Sequence, residues 1–136
     1  MIPPRLLLYG ERGLIAETSV ELAVGERAVV GRSRFTTISA ATTPVARRIG
    51  RARLEASAAF RRLSRRHLEI AFESETVVSV VDHSSNGATC DGVRIPGSVR
   101  LDAAELARRP ARLRFGAGEE ILLSVVVEGA SIAPRG

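Results

Sequence analysis

Three short polar clusters hold the residues of this chain that can do chemistry: Gly31-Arg32-Ser33, Ser64-Arg65-Arg66-His67 and Asp82-His83-Ser84-Ser85-Asn86-Gly87. Arginine offers a planar fork of donors to phosphate or carboxylate, serine a hydroxyl, and asparagine an amide that can grip peptide backbone. Together they suit recognition of a phosphate group. The same segments contain a Ser, His and Asp inventory in Ser64, His67, Asp82, His83 and Ser85. No nucleophile elbow or metal-ligand spacing accompanies it, so neither catalysis nor a metal or other cofactor is expected.

Each cluster lies where one apolar run ends or the next begins. Such loops gather at the rim of a β-sandwich. The chain has 136 residues, 45% of them apolar but only 4% aromatic, which fits one domain with an aliphatic core. Its Val, Leu and Ile runs are too short for helices and favour an all-β fold. Strands are expected at 6–9, 14–17, 20–24, 27–30, 67–72 and 76–81. His67 to Phe72 alternates polar with apolar residues, and the short link at Glu73-Ser74-Glu75 implies an antiparallel hairpin. Asp91-Gly92 suits a type I′ turn, Ala103 to Arg109 a short helix closed by Pro110, and Arg112 to Glu128 a last hairpin around Gly116-Ala117-Gly118, with residues 129–136 as a tail.

Residues 36–60 break the pattern. Thr36-Thr37 and Thr42-Thr43 precede an Ala- and Arg-rich stretch expected to be helical over 45–59, where Gly50 costs roughly 1 kcal/mol of helix propensity, and ordered only in part. The clustered threonines are themselves candidate phosphorylation sites, able to bind the rim in cis or in a neighbouring molecule.

All 20 basic residues are arginine and the net charge is +5, which favours an anionic partner, although GC-rich codon usage also replaces Lys by Arg. Eight arginines lie between Arg47 and Arg66. Those at 47, 48, 51 and 53 form a solvated face, a contact for acidic residues, or a nucleic-acid contact, the last being the less favoured partner. The single cysteine, Cys90, excludes an internal disulfide. With no export signal and no run near the ~20 residues of a membrane helix, a cytoplasmic location without membrane contact is expected.

Gly31-Arg32, Ser64-x-x-His67, Asn86-Gly87 and Asp91-Gly92, in that order, resemble the forkhead-associated (FHA) domain. The resemblance covers Leu6 to Val127 and implies a β-sandwich of about eleven strands, with the partly helical insertion between the first two binding loops. It also implies a non-catalytic module that binds phosphothreonine peptides in Ser/Thr kinase signalling, with a phosphoprotein, the kinase or its substrate as partner. Carried over to this chain, Arg32 pairs with the phosphate and Ser64 and Arg65 add a hydroxyl and a backbone N–H. Ser85 supplies a second hydroxyl and Asn86 holds the ligand backbone. Gly31, His67 and Gly87 support the loops without ligand contact. The chain departs from the family in its wide Arg32-to-Ser64 gap, its short Asp82-to-Asn86 loop, and Ala88 where threonine often follows Asn-Gly. A phosphate-independent scaffold is the alternative if the insertion covers the rim.

Overall fold

The computed structural model describes residues 2–127, so the expected tail lies outside the described residues. In chain order the elements are β1 (Arg5–Arg12), β2 (Ser19–Leu22), β3 (Arg27–Gly31), β4 (Ile38–Ser39), α1 (Pro44–Ile49), α2 (Arg51–Ala56), α3 (Ala58–Arg61), β5 (Leu68–Phe72), β6 (Val77–Asp82), β7 (Ala88–Cys90), β8 (Val93–Arg94), β9 (Ser98–Asp102), α4 (Ala103–Arg108), β10 (Ala111–Phe115) and β11 (Glu119–Val126). They form a six-stranded sheet in the order β2-β1-β11-β10-β7-β8 and a five-stranded sheet in the order β4-β3-β5-β6-β9. The fold is therefore an all-β sandwich of eleven strands. None of its helices is long and apolar enough to cross a membrane.

Period-2 alternation builds the core. Leu6 and Leu8 of β1, Leu68, Ile70 and Phe72 of β5, and Leu113 and Phe115 of β10 point inward and share one apolar cluster. The β5–β6 hairpin pairs Leu68 with Asp82 and Phe72 with Val78, so the two ends of this hairpin place His67 and the 82–87 loop side by side. At the β7–β8 turn, Asp91 and Gly92 have φ of 49° and 84°, the paired positive values that a type I′ turn requires.

Two expectations need correction. Residues 14–17 are a turn and not a strand, because β1 runs past Gly10 through a bulge to Arg12 and the chain must then reverse. The backbone N–H of Ile15 donates to the carboxylate of Glu119 at 3.1 Å, so this loop bonds to a buried side chain and not to a neighbouring strand. The second correction concerns the insertion. Its helix is three short pieces, broken at Gly50, whose φ of 90° no helix accommodates, and again at Ser57.

The insertion is also ordered by contacts to the sandwich. Ala46, Leu54 and Leu63 join the core cluster, and Arg48 makes a two-pronged contact with Glu17. Thr43 caps α1 by accepting from the Ala46 N–H at 3.1 Å. Its hydroxyl also donates to the Leu14 carbonyl. Thr43 is thus buried and committed, which removes it from the candidate phosphorylation sites.

Candidate functional site

The rim is assembled from the backbone outward. β3 ends at Gly31, and the next two residues bond to the segment before β5: Arg32 N–H to the Ser64 carbonyl at 3.0 Å and Ser33 N–H to the Arg65 carbonyl at 3.2 Å. The approach is close enough that a Cβ at Gly31 would sit 2.1 Å from the Arg65 carbonyl oxygen. Only glycine fits there, and it fixes the position of Arg32 against Ser64 and Arg65.

His67 lies beneath this contact and is fully buried. Its Nδ1 accepts the Ser64 N–H at 3.0 Å, its own N–H donates to the Val30 carbonyl at 2.8 Å, and its carbonyl accepts the His83 N–H at 2.9 Å. One residue thereby touches all three polar clusters or the strand leading to them. Burial pushes its pKa below the usual histidine value, while the Gly87 backbone and the charge of Asp82 pull the other way. With Nδ1 accepting, the ring is neutral and carries its proton on Nε2, which is buried and meets no acceptor in good geometry among the described residues.

The third cluster folds on itself. Asp82 Oδ1 accepts the Ser84 N–H at 2.9 Å and the Ser84 hydroxyl at 2.6 Å, and that hydroxyl accepts the Gly87 N–H at 2.9 Å. Ser84 is therefore occupied in holding the loop, whereas Ser85 and Asn86 are exposed. Asn86 Nδ2 donates to the Arg62 carbonyl at 3.1 Å, which ties this loop to the segment that also receives Arg32. The amide retains a second N–H and its oxygen for another partner.

Arg32 is half-buried, and its guanidinium lies 5.8 Å from the centroid of the Phe60 ring, within cation–π range. Phe60 is placed by Ser57, which caps α3 by accepting the Phe60 N–H at 3.1 Å. Arg32 Nε is buried and meets no hydrogen-bond partner among the described residues. Among the described residues neither Arg32 nor Arg65 forms an ion pair. Arg32, Ser33, Phe35, Phe60 and Arg65 line an open cavity of about 340 Å³. The insertion supplies one wall of it through Phe60 and does not cover it.

Of the residues read from sequence, Arg32 and Arg65 thus meet around one cavity, with Ser64 joined to them through its backbone. Asn86 borders a different cavity, with Gly87, Arg94 and Phe115. Phe35 and Phe60 escape the sequence reading, which names Ser33 in the first cluster without giving it a role. Phe35 is 97% exposed at the tip of the β3–β4 loop, whose turn is closed by the Thr36 hydroxyl donating to the Ser33 carbonyl at 2.7 Å. The signal available was scarcity: the chain has four phenylalanines, and two of them stand next to arginines outside any alternating run.

Solved structures with this fold include the FHA domain of the CT664 protein from Chlamydia trachomatis, at 20% identity and a TM-score of 0.62, covering 88% of this chain and 96% of that one. The FHA domain of an Arabidopsis thaliana hypothetical protein is similar at 22% identity and a TM-score of 0.65, covering 93% and 90%. The N-terminal FHA domain of S. cerevisiae Rad53p, solved with a phosphothreonine peptide, is 13% identical with a TM-score of 0.58, covering 92% and 94%. No curated protein matches the chain. The family model for the FHA domain matches residues 29–106, more than half of the sequence and all three polar clusters, and the chain belongs to the FHA domain family.

Proposed function

We propose that this FHA domain binds phosphothreonine-containing proteins in a Ser/Thr kinase pathway, without catalysing a reaction. FHA domains are interaction modules, and the phosphothreonine peptide held by the Rad53p domain supports the ligand class. In this reading residues 1–136 act as one domain and Arg32 takes the phosphate. Ser64, Arg65 and Ser85 complete the phosphate contacts, and Asn86 holds the ligand backbone. Gly31, His67 and Gly87 keep the loops in place. The observation that carries the reading is Arg32 itself: a half-buried residue, its guanidinium braced by Phe60, that has no carboxylate partner among the described residues and lines an open cavity with Ser33 and Arg65. A charge held this way favours an incoming dianion such as a phosphorylated side chain.

Amide chemical-shift mapping tests it. Addition of a degenerate phosphothreonine peptide library is expected to move the resonances of residues 31–35, 64–67 and 84–87, with the unphosphorylated library leaving them in place. Shifts confined to other surfaces would overturn the assignment.

A further inference from the structure

Charge in this chain is sorted by position. Residues 32–66 carry ten arginines and a single acid, Glu55, whereas the remainder carries ten arginines and fourteen acids. The whole excess of positive charge therefore belongs to the segment running from Arg32 through the insertion to Arg66. Outside it, most arginines are paired on the sheets, as Arg27 is with Glu69 at 2.8 Å and Arg100 with Glu73 at 3.1 Å.

Within that segment the arginines do not form an even stripe. Arg48 turns onto Glu17. Arg34, Arg47 and Arg51 instead line one cavity of about 340 Å³, floored by Leu54 and sharing Arg32 and Phe60 with the cavity described above. Arg34 and Arg47 make no ion pair among the described residues, and Arg51 meets only Glu55, at 3.5 Å between two well-exposed side chains. Such a pair is weak and easily exchanged for a better anion. Glu55 lines the same cavity, so four guanidinium groups, those of Arg32, Arg34, Arg47 and Arg51, face one carboxylate, and the excess positive charge around the concavity favours entry of a further anion.

We propose that this cavity is a second anion-binding subsite, which takes a carboxylate or phosphate side chain of the same peptide that presents its phosphothreonine to Arg32. The inference rests on the phosphothreonine reading of the rim. The two cavities are separated by the side chains of Arg32 and Phe60, and an extended peptide advancing ~3.4 Å per residue crosses such a wall in two or three residues. A discrete cavity with an apolar floor fits one side chain better than the continuous backbone of a nucleic acid, which would need Arg48 and Arg53 on the same face.

The test uses phosphothreonine peptide pools in which each position from four before to four after the phosphothreonine is fixed in turn as Ala, Asp, Glu or phosphoserine. The wild type is expected to prefer an acidic residue at one or two positions by roughly tenfold over Ala. The Asp and Glu arms, set against the phosphoserine arm, tell carboxylate from phosphate. The double variant Arg47→Ala/Arg51→Ala changes two exposed side chains. It is expected to bind the Ala-fixed pools as the wild type does and to lose the preference, while Glu55→Gln strengthens it. A preference that is absent, spread evenly over all positions, or retained in the double variant would overturn the subsite and leave the phosphothreonine reading intact. So would tighter binding of a short DNA duplex that depends on Arg47 and Arg51. Failure of every phosphothreonine pool to bind the wild type would overturn both.

Discussion

Gly31 and Arg65 are in backbone contact, with room for no side chain between them: a Cβ on Gly31 would lie 2.1 Å from the Arg65 carbonyl oxygen. Because that oxygen also accepts the Ser33 N–H, the obstacle is part of the loop junction and cannot rotate away as a side chain would. Gly31→Ala is therefore expected to cost about 1–3 kcal/mol in denaturant-induced unfolding, in the range of overpacking a filled site. It should also weaken phosphopeptide binding by displacing Arg32. Unchanged stability would show that the junction yields more easily than its geometry implies.

His67 makes the junction sensitive to pH. Its folded-state pKa is lowered, mainly by burial, from a usual value of 6.5. The unfolded chain thus takes up the proton first, and stability is full above about pH 6.5 and falls as pH drops through the lowered folded value. Unfolding midpoints of the wild type and His67→Asn, measured from pH 7.5 to 5.5, are expected to differ most at the upper end and to converge toward the lower. A gap independent of pH would contradict a buried neutral imidazole.

Phe60 and Arg32 couple the insertion to the rim. Phe60→Leu keeps apolar bulk but removes the ring face beneath the guanidinium, an interaction worth ~0.5–1 kcal/mol. Affinity for a phosphothreonine peptide, measured by calorimetry, is expected to fall about two- to fivefold with the fold retained. Equal affinity would mean that Phe60 does not position Arg32.

Phe35 leaves almost its whole surface in water, which is unusual for so large an apolar side chain. It lines one cavity with Arg32, so under the proposed phosphothreonine reading it is placed to contact the peptide backbone or an apolar neighbour of the phosphothreonine. Phe35→Ala is expected to weaken binding about fivefold or more, as truncation of an aromatic anchor does, and to leave thermal stability within ~0.5 kcal/mol. Lost stability with unchanged affinity would reverse that assignment.

Much of the sandwich is legible in the sequence because its rules are local. The alternation over Leu68, Ile70 and Phe72, the Asp91-Gly92 turn and the Pro110 stop each act within a few residues. What escaped depends on distant partners. Residues 14–17 look like a strand until Glu119, more than a hundred positions away, is found holding the Ile15 N–H. The insertion reads as one helix because Ala and Arg both favour helix, and only the path of the folded chain decides that Gly50 turns it. The polar clusters announced Arg32 and Arg65, but a lone phenylalanine among arginines reads alike as core or surface, so the aromatic walls of the cavity emerged only with the fold.

The central claim is that Arg32 takes a phosphate. Fluorescence polarisation of a labelled phosphothreonine peptide pool and its unphosphorylated twin, against wild type and Arg32→Ala, tests it most directly. The account predicts binding of the phosphorylated pool alone, weakened about thirtyfold or more in the variant, as expected when one partner of a charge-assisted contact is truncated at a cost of ~2 kcal/mol or more. Equal binding of both pools, or an unchanged affinity in Arg32→Ala, would contradict it.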